Sequence, residues 1–103
     1  MLNIEEQVIN IKNTISNKYR TCELELVFEF EDEENCRAYY KKLYHPNDID
    51  FLIEPYIKDG KYVCGIKNFM SQDVKHITDT VKFQGNRVKE FNGYLVVCNV
   101  NET

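Results

Sequence analysis

The side chains that could carry out catalysis or hold a metal are few in this 103-residue chain and lie far apart in its sequence. His45 precedes a proline, and His76 lies between a lysine and an isoleucine, with no serine or cysteine next to either. No CxxC, HxH or HExxH spacing predicts a zinc site, and the four glycines form no phosphate-binding loop. The sequence therefore predicts no catalytic residues, no cofactor and no metal, and a protein that is not an enzyme.

A row of glutamates is the set of side chains best suited to binding. In residues 22–31 apolar side chains alternate with glutamates, which predicts a strand with one buried face and one solvent face. Side chains two residues apart on a strand are about 6.8 Å apart, close to the spacing of successive phosphates in a nucleic-acid strand. The glutamates on the solvent face are Glu23, Glu25, Glu29 and Glu31. They are predicted to imitate a phosphate backbone and to bind a basic protein surface.

Two alternatives stay open for this row. The first is an ordinary solvent-exposed strand face that lysines of the adjacent hairpin neutralise, namely Lys58, Lys61 and Lys67. The second is that the N-terminal helix lies across the face and buries the row or pairs with it. Either arrangement would leave fewer free carboxylates for a partner.

Aromatic side chains are numerous, with seven tyrosines and six phenylalanines. Tyr39, Tyr40 and Tyr44 point in different directions around one predicted helix, so they cannot all face a core. An exposed tyrosine beside acidic residues is typical of protein interfaces, and these three are predicted to be partner-binding residues. A half-buried amphipathic position is the alternative.

Acidic residues are concentrated in the first third of the chain. Residues 1–34 hold nine acidic and three basic side chains, whereas the remainder holds eight acidic and ten basic ones. The net charge of −4 therefore comes from one acidic pole. A negative field repels phosphates, so the sequence argues against direct nucleic-acid binding. It favours a protein partner with a basic surface, such as a nuclease or a nucleoprotein.

Length and composition predict a single domain over residues 1–103, with an N-terminal helix in 1–20 and a core in 21–103. Hydrophobic residues at 43% and charged residues at 29% are ordinary for a globular protein. The sequence predicts no membrane span and no secretory signal. Four singly spaced cysteines predict reduced, mostly buried thiols. We expect a cytoplasmic protein, in a bacterium or in the host cell if it is phage-encoded.

The N-terminal helix is predicted over residues 3 to about 18, with Asn3 as its N-cap. Its apolar stripe consists of Ile4, Val8, Ile11 and Ile15. We expect this stripe to pack on the protein's own core, because a sustained coiled coil needs about three to four heptads. A helix for dimerisation or for partner binding is the alternative.

The middle of the chain contains a strand, a helix and a hairpin. The strand covers about residues 21–31, and Asp32 caps a helix over about 33–44. Two strands over 50–57 and 61–69 flank Asp59-Gly60, a dipeptide that suits a primed two-residue turn. Because Pro55 cannot donate a backbone hydrogen bond, the first of these strands is predicted at a sheet edge.

A third helix and a final strand complete the predicted elements. Ser71 is predicted to cap the helix, which ends near Gly85, and residues 94–100 form the strand. Two alternatives stay open for the segment before the final strand. Val88–Phe91 forms a short extra strand, or Asn92-Gly93 forms a bulge where the final strand begins.

After the N-terminal helix, the predicted order is β-α-β-β-α-β, the split βαβ arrangement of ferredoxin-like domains. Right-handed crossovers place the first and third strands at the centre of the sheet and the second and fourth at its edges. The predicted fold class is α+β: a ferredoxin-like sandwich preceded by an N-terminal helix, whose antiparallel sheet has one open face.

Four motifs lie between residues 21 and 100: Phe28-Glu29-Phe30-Glu31-Asp32-Glu33-Glu34, Ile53-Glu54-Pro55 before Asp59-Gly60-Lys61, Met70 with Ile77-Thr78, and Phe91-Asn92-Gly93-Tyr94. Through these motifs, residues 21–100 resemble the ribonuclease E inhibitor B (regulator of ribonuclease activity B) family. The resemblance implies a ferredoxin-like fold and a small acidic protein that binds and inhibits a nucleic-acid enzyme.

Three functional hypotheses follow from the sequence. The leading one is a non-enzymatic inhibitor that occludes the basic groove of a nucleic-acid-processing enzyme, as a ribonuclease inhibitor or as a phage anti-defence protein such as an anti-CRISPR. The second is a ligand-binding regulatory domain, as a monomer or a dimer, because open sheets of this kind often bind small molecules at interfaces. The third is a small hydrolase or metalloprotein, whose Cys–His pair would have to assemble in space.

Overall fold

Helices cover one face of an antiparallel sheet in this protein. The computed structural model describes residues 1–15, 19–43 and 50–102. Within these ranges the fold is α+β, with three α-helices and four strands. The elements are α1 (Ile4–Thr14), β1 (Thr21–Phe30), α2 (Glu33–Lys42), β2 (Phe51–Lys58), β3 (Lys61–Ser71), α3 (Val74–Arg87), a 3-10 helix (Val88–Phe91) and β4 (Gly93–Glu102).

The strand order is β2-β3-β1-β4, and all neighbouring pairs are antiparallel. The first and third strands therefore lie at the centre of the sheet, as the right-handed crossover rule predicts. The proline-containing strand β2 lies at an edge, also as predicted, because a central position would require a backbone donor at Pro55.

The alternation along β1 separates core from solvent as expected. The apolar side chains Cys22, Leu24, Leu26, Phe28 and Phe30 are fully buried and belong to one cluster with residues of all three helices. Burial of one such large side chain contributes roughly 1.5–3 kcal/mol. The glutamates of β1 project from the opposite side of the sheet, which no described helix covers.

The apolar stripe of α1 packs on the protein's own core. Asn3 caps the helix by accepting a 3.0 Å hydrogen bond from the backbone N–H of Glu6. Val8, Ile11 and Ile15 are buried in the core cluster, so this stripe is not free for dimerisation. The helix packs beside α3 on the covered side of the sheet and does not cross the acidic face. It ends at Thr14, before the predicted end at residue 18.

The local signals around α2 and the hairpin predict their structures correctly. Asp32 caps α2 by accepting a 3.1 Å hydrogen bond from the backbone N–H of Asn35. Asp59 and Gly60 both have positive φ angles, 51° and 79°, as a primed turn requires. Helix α2 ends at Lys42, before the predicted end at about residue 44, and the His45-Pro46 stop lies outside the described residues.

The predicted bounds of the third helix are wrong at both ends. Ser71 is the last residue of β3, and Asp73 caps α3 by accepting a 3.1 Å hydrogen bond from the backbone N–H of Lys75. Gly85 lies inside the helix, which continues to Arg87. A Cβ atom on Gly85 would lie 2.7 Å from Cδ1 of Ile4, so this glycine permits the close approach of α1 and does not end α3.

The segment before β4 is neither of the predicted alternatives. Val88–Phe91 forms a 3-10 helix, and Asn92 turns the chain into β4 with a left-handed φ of 58°. The bulge of β4 lies further along the strand. Val27 faces Val97 and Phe28 faces Leu95, which leaves Val96 as the extra residue.

Candidate protein-binding face

The side of the sheet opposite the helices, which we call the open face, is built from cross-strand rows. The central row consists of Val97, Val27, Gly65 and Ile53, in the order β4, β1, β3, β2. The next row toward the end of β1 consists of Tyr94, Glu29, Val63 and Tyr56. The row on the other side consists of Asn99, Glu25, Lys67 and Phe51. Glutamates and apolar side chains are therefore interleaved on one surface.

Two of the four predicted glutamates have cationic partners within the protein. Glu25 lies 3.8 Å from the Lys67 ammonium, and it also accepts a 3.2 Å hydrogen bond from the Asn99 amide. Glu31 forms an ion pair and hydrogen bond with Lys61. The alternative that lysines of the adjacent hairpin neutralise the strand face therefore applies to Glu25 and Glu31. Lys58, at the end of β2, forms no ion pair with any described residue and so plays no such role.

The other two glutamates, Glu23 and Glu29, form no ion pair within the described part of the chain. The Lys61 ammonium, whose pKa is raised mainly by its hydrogen bond to Glu31, is also attracted by the Glu29 carboxylate. Glu29 accepts a 2.6 Å hydrogen bond from the Tyr94 hydroxyl, and this bond raises the pKa of Tyr94. Glu23 lies between Phe69 and Asn101 in the sheet register. The two carboxylates stand on either side of the central apolar row, about 20 Å apart along β1.

An apolar band crosses the open face between these carboxylates. Val27 is 8% exposed and Val63 is 1% exposed, although no described helix lies above them. Larger side chains at the β2 edge are more exposed to solvent: Phe51 is 61% exposed and Tyr56 is 45% exposed. An apolar centre with exposed aromatics and a polar rim is the composition typical of protein interfaces.

The contribution of β2 to this face was missed in the sequence, and the reason is a bulge. Ile53 faces Gly65 and Tyr56 faces Val63, so Glu54 and Pro55 together oppose a single residue of β3. The extra residue shifts the alternation, which places Phe51, Ile53 and Tyr56 on one face although their spacing is not uniform. Pro55 within the mostly apolar run of residues 51–57 was the available signal, since proline in a strand favours edges and bulges.

The predicted tyrosine site is not assembled as expected. Tyr39 is fully buried, and its hydroxyl lies within hydrogen-bond distance of the Gln84 side-chain carbonyl. The prediction of Tyr39 as a partner-binding residue is therefore wrong, because α2 turns it into the core. Tyr40 is half-buried against the core on the helical side of the sheet, away from the glutamates. Tyr44 lies outside the described residues.

The four cysteines carry free thiols, as predicted. Cys22, Cys36 and Cys64 are buried, whereas Cys98 on β4 is half-buried. Burial raises the pKa of the Cys98 thiol to about 11. At neutral pH its reactive thiolate is therefore scarce even though a reagent can approach it.

We expect iodoacetamide to label the folded protein at Cys98 first, at a rate about a hundredfold below that of a free cysteine. Mass spectrometry of the native and urea-unfolded protein measures this, with all four thiols labelled after unfolding. Labelling of a second cysteine as fast as Cys98, without unfolding, would contradict the burial of the other three.

Cavities and metal-ligand clusters give weaker candidates for a site. A cleft of about 260 Å³ between β3 and α3 is lined by residues that include Met70, His76 and Phe83. In residues 1–15, 19–43 and 50–102, no group of three or more histidine, cysteine or acidic side chains could hold a metal ion. No helix in the same ranges has the length and apolar character needed to cross a membrane.

Comparisons with known proteins found no matching protein-family model, no matching curated protein and no matching solved structure. The geometry of the open face is therefore the basis for a functional proposal.

Proposed function

We propose that this protein is a small acidic inhibitor or modulator that binds a nucleic-acid-processing enzyme and occludes its basic groove with the open face. One observation carries the proposal: Glu23 and Glu29 form no ion pair with any described residue and flank an apolar row on a sheet face that no described helix covers. Carboxylates outside an ion pair attract a basic surface and orient it during encounter. The exposed aromatic side chains Phe51 and Tyr56 at the β2 edge of this face supply apolar area that such a complex would bury.

The size of the open face indicates what else the complex would need. Four strands at a spacing of about 4.8 Å and ten residues at about 3.3 Å each give roughly 600 Å² of sheet. A stable interface buries about 800 Å² on each partner. The proposed partner therefore reaches beyond the face to one of the sheet edges.

The class of partner follows from charge. A groove that holds nucleic acid is basic, and the acidic face has the sign that complements it. The resemblance to the ribonuclease E inhibitor B family supports a ribonuclease as the partner. A composition rich in asparagine, lysine and isoleucine suits a phage product, for which a host defence nuclease is the corresponding partner. Both versions place the protein in the cytoplasm.

The proposal includes a ferredoxin-like β-α-β-β-α-β fold for the part of the chain after α1. Its support is the element order from β1 to β4, together with the central positions of β1 and β3. In this arrangement the helices cover one side of the sheet and leave the other side for a partner.

The experiment that tests the function is a pull-down with the immobilised protein from nuclease-treated lysate, followed by competition. We expect a nuclease, helicase or nucleoprotein to be recovered and then released by added single-stranded or duplex nucleic acid, because both ligands would occupy one groove. Recovery of no such protein would contradict the proposal. A stable complex of all three components would contradict occlusion.

A ligand-binding regulatory domain is the second candidate, and the cleft beside Met70 and His76 is the observation that favours it. Pockets for drug-sized ligands are usually about 300–1,000 Å³, so the 260 Å³ cleft suits only a small metabolite. A thermal-shift screen of metabolites and nucleotides distinguishes the candidates, since a ligand at a hundred times its Kd adds about 2.7 kcal/mol of stability.

A further inference from the structure

The two edges of the sheet differ in how they are protected. The edge strand β2 carries a proline, a bulge and a terminal lysine, devices that prevent pairing with another strand. The edge strand β4 spans ten residues, Gly93–Glu102, and contains no proline and no lysine. Its bulge at Val96 lies near its beginning. Residues 97–102 therefore form a regular, unprotected edge.

The outer backbone of this edge is largely open. Among the described residues, one backbone hydrogen bond reaches β4 from outside the sheet, from the N–H of Leu2 to the carbonyl of Leu95, 2.9 Å long. It secures the start of the strand. Beyond it, no described residue outside the sheet forms a backbone hydrogen bond with residues 97–102, whose outward N–H and C=O groups can pair with another strand.

A groove runs along this edge because α1 lies beside it. The groove has a volume of about 460 Å³. Its walls include Gln7, Asn10 and Thr14 from α1 and Cys98, Val100 and Glu102 from β4. A strand edge flanked by a helix accepts an extended chain, which adds to the sheet through main-chain hydrogen bonds while alternate side chains enter the groove.

We propose that β4 binds an extended segment of a basic partner protein as a fifth strand of the sheet. This inference rests on the proposed function and names the mode of binding and the chemistry of the bound segment. The side chains that face α1 meet the amides of Gln7 and Asn10 and the hydroxyl of Thr14, which select small polar residues such as serine or threonine. The added strand also supplies the surface that the open face alone lacks.

The other side chains of the added strand lie on the same side of the sheet as the open face. There its neighbours on β4 are Asn99 and Asn101, which are short and uncharged. Beyond Asn101 on β1 lies Glu23, which forms no ion pair with any described residue, whereas Glu25 beyond Asn99 already pairs with Lys67. The added strand lies about 10 Å from β1. A long cationic side chain beside Asn101 reaches over it toward the Glu23 carboxylate, so the segment carries lysine or arginine on this side.

A second copy of this chain is a poorer occupant. The sequence of β4 contains no basic residue and ends in Glu102. Pairing of two β4 strands would join two open faces of the same sign into one continuous sheet. The like charges would oppose each other without any cation from the pairing strands.

The test uses the full chain and two synthetic ten-residue peptides. One alternates lysine with threonine, and the other has the same composition in two blocks. We expect the alternating peptide to slow amide hydrogen exchange in residues 97–102 at least tenfold, to protect Cys98 from iodoacetamide, and to bind more tightly than the block peptide. If both peptides bind equally and amide exchange in residues 97–102 does not slow, the peptides are held by charge attraction alone, and strand addition is overturned.

A matched pair of variants separates the groove from the rest of α1. Asn10 lines the groove and Asn13 does not, and both are exposed on the same helix. We expect N10W to weaken binding of the alternating peptide at least tenfold and N13W to leave it unchanged. Equal behaviour of the two variants would contradict the groove as the binding site.

The recovered partner distinguishes this inference from the proposed function. Loss of the partner in N10W but not in N13W supports strand addition. If N10W keeps the partner while charge reversal at Glu23 and Glu29 loses it, strand addition is wrong and the proposed function stands. If N10W and the charge-reversal variant at Glu23 and Glu29 both keep the partner, both proposals are wrong. A concentration-dependent dimer that N10W abolishes would identify a second copy as the occupant and overturn the inference.

Discussion

Replacing Tyr39 with alanine is expected to lower the free energy of unfolding by roughly 3–5 kcal/mol, the usual effect of removing a large aromatic side chain from a core. The ring is fully buried. Its centroid lies 5.0 Å from that of Phe28, 5.8 Å from that of Phe30 and 5.2 Å from that of Phe91. Because 1 kcal/mol shifts Tm by roughly 4–8 °C in a domain of this size, Tm should fall by about 12 °C or more.

The neighbouring tyrosine provides the control. Tyr40 is half-buried at the margin of the core, so Y40A is expected to cost about 1 kcal/mol, the typical effect of a single substitution. Y39F removes only the hydroxyl that bonds Gln84, whose side chain is buried, and is expected to cost roughly 1–3 kcal/mol. Urea denaturation of the three variants measures these differences. A larger loss in Y40A than in Y39A would show that the assigned inner face of α2 is wrong.

This pair also shows where sequence reasoning stops. Tyr39 and Tyr40 are adjacent, and either is compatible with the inner stripe of α2. The partners that decide between them are Phe91 and Gln84, which lie more than forty positions away in the chain. No local pattern contains that information.

Features that depend on hydrogen bonds within a few residues could be predicted. The side chains of Asn3 and Asp32 each accept a hydrogen bond from the backbone N–H three residues ahead. Asp59 and Gly60 form their turn because both residues adopt the positive φ angles that it requires. The third helix is different, because Ser71 and Asp73 are both good caps and the length of β3 decides between them. Gly85 is a helix terminator in isolation, yet the approach of Ile4 gives it another role.

The direction of the strand glutamates was predictable, but their pairing and the aromatic part of the face were not. The alternation along β1 places Glu23, Glu25 and Glu29 on one face, and Glu31 follows the last residue of the strand. Which of them are neutralised depends on register, since Glu25 faces Lys67 whereas Glu29 faces Val63 and Tyr94. A shift of one residue would change every such pair, and register is set by contacts across the whole sheet.

Reversing the charge of Glu23 and Glu29, the two carboxylates that form no ion pair with a described residue, is expected to abolish partner binding. In the E23K/E29K double variant the open face presents lysines to a basic surface, and like-charge contacts at an interface cost several kcal/mol. Each 1.4 kcal/mol is a tenfold change in Kd, so a loss of at least about a hundredfold is expected. Titration of the recovered partner at physiological salt measures it. The wild-type affinity should also fall as salt rises, because the attraction is electrostatic.

Two further variants separate local charge from net charge and from structure. E6K/E90K changes the net charge by the same amount at exposed helical positions away from the open face, so its binding should stay within about threefold of wild type. E23Q/E29Q removes the charges but keeps an acceptor for the Tyr94 hydroxyl, so it should lose affinity with little change in Tm. If E6K/E90K weakens binding as much as E23K/E29K, the partner responds to net charge and the open face is not its site. If E23K/E29K binds normally, the two carboxylates that form no ion pair with a described residue have no role in recognition, and the proposed function loses the observation on which it rests.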